Sequence, residues 1–245
     1  MPMCFPLRAL AGLIWLRMLS RLRAPWAFLY GLGLPTLAYL AFGLNPHADA
    51  AWRLEFAGSC ATFATFGVVL TSSLSSQHQL HDPWNRYQRV LPLGTAMLLG
   101  ALLAENALLI LLSAGLVLAV AVLTGVSVPW AGTYLALLLG SIPVALLALA
   151  LSHWVRSQEL PVVSSILYMG LSFVGGLWSP PQNLPPLVAL ISAWTPTRVW
   201  GEMVWAAIGN SWAPLEVWLK LGGWSVLGLA LVLIARHHQQ LPRFR

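Results

Sequence analysis

His78 and His81 lie three residues apart and Asp82 follows at once. On a helix that spacing puts both imidazoles on one face, where a third ligand would complete a metal site or an acid–base pair. Gln77, Trp84, Asn85 and Arg86 surround them, and the competing reading is a polar loop at a membrane surface. His237 and His238 belong to a basic tail. Glu105 and Asn106 stand inside a long apolar run. An ionisable group there is costly in lipid and points to a polar cavity, a partner side chain or a proton-linked role. Alternatively, the first turns of that run protrude and Glu105 lies nearer the interface. The single lysine, Lys220, is followed by Leu221, so a phosphate-binding G-x-x-x-x-G-K-[ST] loop cannot be built. Any ATP that drives this protein is hydrolysed by another subunit. Cys4 and Cys60 show no metal-ligand spacing, and no disulfide between them is expected.

The elements that position these residues follow from the charge pattern. Hydrophobic residues make up 58% of the 245 and charged residues 8%. So few polar groups cannot cover a soluble domain of this size. Charges fall in clusters between apolar stretches, each long enough for the roughly 20 helical residues that cross a bilayer. The spacing predicts six spans, at about 25–44, 56–76, 93–123, 133–154, 160–178 and 214–235. The uncharged window between Glu105 and Arg156 is divided by the turn-like run Thr124 to Pro129, so it holds the end of one span and all of the next. A β-barrel is excluded, because its strands would show short segments of alternating polarity.

Basic residues are retained on the cytoplasmic side. With six spans, Arg8, Arg17, Arg21, Arg23, Arg86, Arg89, Arg156, Arg236, Arg243 and Arg245 fall on one side, and Arg53, Arg198 and Lys220 on the other. Both termini are therefore expected in the cytoplasm. The net charge of +6 then reflects topology and anionic headgroups rather than nucleic acid. Tryptophans 26, 52, 130, 154, 178 and 212 lie at or near span ends, as interface anchors. The N-terminal arginines precede a stretch of full spanning length, so the first segment reads as a retained anchor rather than a signal peptide.

Within 7–23, Ile14, Met18 and Leu22 line one helical face and Arg17 and Arg21 a neighbouring one, which suits a helix on the cytoplasmic membrane surface. After the fifth span, Pro180, Pro181, Pro185, Pro186 and Pro196 break the chain into short pieces. Trp200, Met203, Val204, Ala207 and Ile208 then recur at helical spacing, with Arg198 and Glu202 placed as an i,i+4 ion pair. This predicts a short amphipathic helix on the outer face, lying in the interface or folding partly back into the bilayer. Glu216 and Lys220 are placed for a second such pair.

The run Gly176-Leu177-Trp178-Ser179-Pro180, with Leu184-Pro185-Pro186 and Pro196-Thr197 followed by Glu202, resembles the end of type-2 permeases of ATP-binding cassette (ABC) exporters. The multidrug and antibiotic-resistance branch, of linearmycin or daunorubicin type, is the nearest in outline. Trp84, Arg86, Arg89 and Leu91-Pro92-Leu93 resemble that family's basic cytoplasmic loop, and Val155-Arg156-Ser157 its second short basic loop. Asp82-Pro83-Trp84 departs from the family pattern, where a charged stretch and a glycine are commoner.

The resemblance implies an all-α integral membrane protein forming a single permease domain over 1–245. A cytoplasmic segment (1–24) would precede a six-span core (25–235) and a cytoplasmic tail (236–245). It implies no catalysis by this chain. Two ABC ATP-binding subunits would carry ATP and Mg, and a second permease chain would complete the pathway in a bacterial inner (plasma) membrane. Gln77, His78, Asp82, Trp84, Arg86 and Arg89, with Arg17 and Arg21, would form the joint with the ATPase. Trp178, Pro180, Pro185, Pro196, Arg198 and Glu202 would belong to an outer gate. Thr62, Thr65, Ser72, Ser165 and Ser172 are expected along the path between permeases, a lining suited to lipophilic or amphipathic cargo. The alternatives are a membrane sensor or immunity protein for a membrane-active compound, and a membrane-embedded enzyme using His78, His81 and Asp82 or Glu105.

Overall fold

A computed structural model describes residues 12, 14, 15, 19, 25–44, 49–79, 95–156, 158–179 and 183–240, of which 25–30, 76–79, 95–99, 101–102, 236 and 238–240 are described by backbone alone. Among them the regular structure is all helical. The helices are α1 (Pro25–Ala38, continued by a π turn, Tyr39–Gly43), α2 (Ala50–Gln79), α3 (Thr95–Leu123), α4 (Trp130–Leu151), α5 (Leu160–Val174), α6 (Pro186–Ser192), α7 (Pro196–Ile208) and α8 (Leu215–Gln240). Residues 12, 14, 15 and 19 are helical, whereas Arg17 and Arg21 of the expected surface helix lie outside the described residues.

Four of these helices hold segments long and apolar enough to cross a membrane: Ala50–Ser75, Leu103–Leu123, Trp130–Leu151 and Leu215–Ala235. Two shorter apolar helices, Gly31–Gly43 and Leu160–Val174, occupy the places of the first and fifth expected spans. The fifth is shorter than its sequence suggests because Gly175-Gly176 ends it. Gly176 adopts φ 76°, while Leu177 N–H bonds Ser172 O at 3.1 Å and Gly176 N–H bonds Phe173 O at 3.1 Å. This paired closure caps the last carbonyls of a helix and needs a left-handed residue, for which glycine carries no Cβ penalty. The same closure ends α3 at Gly125 and α7 at Asn210.

α2 is the hub, in contact with α1, α3, α4, α5 and α7. It is rich in Gly, Ala, Ser and Thr, and small side chains let neighbouring helices approach closely where lipid supplies no hydrophobic drive between them. Its spanning window is 72% buried, against 22% for that of α8, where Leu219, Val226, Leu229 and Leu233 face outward. The core lies along α2, α3 and α4, from Tyr39 and Phe66 to Leu118 and Leu137.

Candidate functional site

The site is assembled where α2, α4, α7 and α8 begin. Past Gly176 the chain turns at Trp178, whose ring meets Phe63 edge-on at 5.0 Å and stacks on Phe173 at 5.6 Å. Pro185 precedes the short α6, whose Leu187, Leu190 and Ile191 stay exposed. Thr195 then caps α7, its hydroxyl accepting the Arg198 N–H at 3.3 Å, and Pro196 supplies the first helical residue with φ already set. Thr197 Oγ1 donates to Leu171 O at 2.8 Å, tying α7 to α5. Gly175 makes that contact fit, since a Cβ there would stand 2.5 Å from Thr197 Oγ1.

One face of α7 is buried and the other partly exposed. Val199, Trp200, Met203, Val204 and Ile208 are buried, and the helix packs against α2, α4 and α8. The apolar positions were legible as a stripe, and the bundle covers that stripe, whichever of the two expected placements relative to the bilayer the helix takes. Trp205 Nε1 also donates to Ser59 Oγ on α2 at 2.8 Å, which fixes the depth of insertion. Gly140 on α4 is the receiving notch, occupied by the Trp200 indole. A glycine in mid-helix facing a tryptophan is a packing signal that becomes readable only once the two helices are known to touch.

The charges lie on the rim. Arg198 Nε donates to Glu202 Oε1 at 2.7 Å and its guanidinium lies 5.2 Å from the Trp205 ring centroid. Lys220 Nζ pairs with Glu216 at 2.6 Å and stands 5.3 Å from the Trp194 ring centroid, so both expected i,i+4 pairs form. Several polar atoms here are buried without a hydrogen-bond partner: Trp178 Nε1, Ser192 Oγ, Arg198 Nη1 and Trp200 Nε1, with Arg53 Nε on α2. A buried group left unsatisfied costs about 1–3 kcal/mol. Four of these five atoms lie within 178–200.

An apolar cavity of about 180 Å³ opens between α4, α7 and α8, lined in part by Leu135, Leu139, Met203, Trp212 and Trp218. A second, more polar one of about 160 Å³ lies on the other flank of α7, against α2.

In the bundle interior, Glu105 is 1% and Asn106 5% exposed. Asn106 Oδ1 accepts a hydrogen bond from Ser72 Oγ, joining α3 to α2. The residues expected along an open path are placed differently. Thr62, Thr65, Ser72 and Ser172 are all buried, and Thr62, Thr65 and Ser172 donate back to the carbonyls of Gly58, Ala61 and Tyr168. Small hydroxyl residues on the hub helix serve packing, and of the five only Ser165 is exposed.

His81, Asp82, Trp84, Arg86, Arg89 and Pro180 lie outside the described residues, as do the side chains of Gln77 and His78. Among the described residues no group of three or more His, Cys, Asp or Glu is arranged to hold a metal ion. Cys60 is free and buried.

No protein-family model matches the chain. A protein of Bacillus subtilis (strain 168), named "Putative transport permease YvfS", is 23% identical over 196 residues, covering 76% of this chain and 80% of that protein. The likeness supports a transport permease family, and with four apolar helices of spanning length it makes the chain a multi-pass membrane protein.

Proposed function

We propose that this chain is the permease subunit of an ATP-driven ABC exporter that moves a lipophilic or amphipathic, drug-like compound out of the cytoplasm or inner leaflet. The observation that carries the reading is the likeness to a transport permease along most of both chains. A permease driven by ATP but lacking a phosphate-binding loop of its own would draw its energy from a partner. In this reading the first and fifth apolar helices complete six spans in the plasma membrane, with both termini cytoplasmic. Two ATP-binding subunits dock below, and a second permease chain, identical or related, faces the first.

In the sequence, the segment 80–94 connects α2 to α3. Closure of the ATPases would reach the hub through it, with Arg86 and Arg89 as contacts and Trp84 as an apolar anchor. At the far end, α7 and the turn at Trp178 are the moving part. A gate needs two arrangements, and the buried donors without a hydrogen-bond partner at Trp178, Arg198 and Trp200 are groups that a second arrangement could satisfy.

The test is to solubilise the tagged chain from native membranes in mild detergent, identify what co-purifies by mass spectrometry and assay ATP hydrolysis on the same sample. A stoichiometric ATP-binding subunit with vanadate-sensitive hydrolysis is expected. A chain that emerges alone, or with a signalling kinase, overturns the reading in favour of a sensor.

A further inference from the structure

We propose that the cavity between α2, the turn after α5 and α7 binds a zwitterionic phosphate–ammonium headgroup, its ammonium held by Glu55 and aromatic rings and its phosphate by Arg198. The inference stands apart from the exporter reading. The cavity, of about 160 Å³, is lined by residues that include Trp52, Glu55, Phe56, Trp178, Arg198 and Trp205. Trp52 and Phe56 stack nearly parallel, with ring centroids 4.9 Å apart, one helical turn along α2. Aromatic faces attract a cation through the ring quadrupole, tryptophan most strongly, and choline-like ammonium groups are bound this way. Glu55 supplies the matching charge on the same turns of α2. Its carboxylate is exposed and forms no ion pair among the described residues.

Arg198 supplies the opposite pole. Its Nε is held by Glu202 and its Cζ lies 5.2 Å from the Trp205 ring centroid, so the guanidinium is oriented before any ligand arrives. Its Nη1 is buried without an acceptor, so a ligand oxygen would reach it only by a small shift of the side chain into the cavity that Arg198 lines. A phosphate presents acceptor oxygens in the geometry a guanidinium fork recognises. Glu55 and Arg198 line one cavity without pairing with each other. Glu202 already offsets the Arg198 charge, so a purely anionic ligand would meet Glu55 uncompensated, whereas an ammonium answers Glu55 and phosphate oxygens offer acceptors to the guanidinium N–H groups that Glu202 leaves over.

The cavity also lies at the ends of helices long and apolar enough to span a bilayer, ringed by tryptophans. That is the level of lipid headgroups. Phosphatidylethanolamine has the required chemistry, and soluble phosphoethanolamine shares it.

The test is native mass spectrometry of the full chain released from nanodiscs containing phosphatidylethanolamine and phosphatidylglycerol in equal amounts. The wild-type chain is expected to retain phosphatidylethanolamine in preference. Glu55→Gln, at an exposed position that should not disturb folding, and Trp52→Leu are each expected to reduce retention about fivefold or more. Glu216→Gln, which leaves the cavity lining untouched, should not. Release of the lipid by soluble phosphoethanolamine assigns recognition to the headgroup in either source; lipid that resists it assigns the site to the membrane-borne form. Equal retention of both lipids, preference for phosphatidylglycerol, or unchanged retention in both variants overturns the proposal. None of these readouts depends on an ATPase partner, so they separate this inference from the exporter reading.

Discussion

The indole of Trp200 lies across Gly140, in the volume that a side chain at position 140 would need. The two residues belong to α7 and α4, and Trp200 is fully buried. Gly140→Ala therefore forces the ring out of its notch. Overpacking of this kind costs about 1–3 kcal/mol, offset in part by the roughly 1 kcal/mol that alanine gains over glycine within a helix. A lower melting temperature in detergent is expected, with partial recovery when Trp200→Leu is added. A Gly140→Ala chain that melts like wild type would place the ring elsewhere.

The two i,i+4 ion pairs should differ in weight. Arg198 and Glu202 are 16% and 29% exposed, whereas Glu216 is 74% exposed opposite Lys220. Glu202→Gln strands a shielded guanidinium and is expected to cost about 1–3 kcal/mol. Glu216→Gln, at an open rim, should cost less than about 0.5 kcal/mol. Denaturant titrations of the two variants in one detergent check the order; equal losses would contradict it.

The Ser72 to Asn106 hydrogen bond ties the hub helix to α3 in the interior. Ser72→Ala removes the donor and leaves the amide oxygen to find another. Interhelical hydrogen bonds in membranes average about 0.6 kcal/mol and reach about 1.7. A loss in that range is expected, and almost none when Asn106→Leu is already present. Additive losses from the two variants would mean that the side chains act independently.

On the exporter reading, His78→Ala with His81→Ala removes one of several contacts at the joint and leaves transport largely working with the ATPase still bound, while Arg86→Ala with Arg89→Ala removes its charges and weakens ATPase association. Resistance or efflux assays beside pull-downs decide it. Loss of function from the histidine pair with the ATPase still bound would revive the membrane-enzyme alternative.

Helix positions were legible because charge and proline punctuate apolar runs: Thr124 to Pro129 separates α3 from α4, and Arg198–Glu202 and Glu216–Lys220 announce their helical turns. The burial of α7 was only half legible. An amphipathic stripe states that an apolar face needs cover and not whether lipid or protein supplies it. The hydroxyls of Thr62 and Thr65 misled for a related reason, since a small polar residue bonding its own helix is as apolar outwardly as alanine. The aromatic cavity on α2 was invisible, because Trp52 and Arg198 are far apart in the chain and meet only through the return of α7.

That return also orders events during synthesis. The bond from Trp205 to Ser59 joins positions 146 residues apart. At about 5–20 residues per second, α2 emerges roughly 7–30 s before the helix that will cover its flank exists. Throughout that interval the small-residue groove of the hub is a vacancy in the nascent protein, which lipid tails or an insertion chaperone must occupy and then surrender. Variants that slow the docking of α7, such as Gly140→Ala, should accordingly lower the yield of inserted protein by more than their effect on the finished fold.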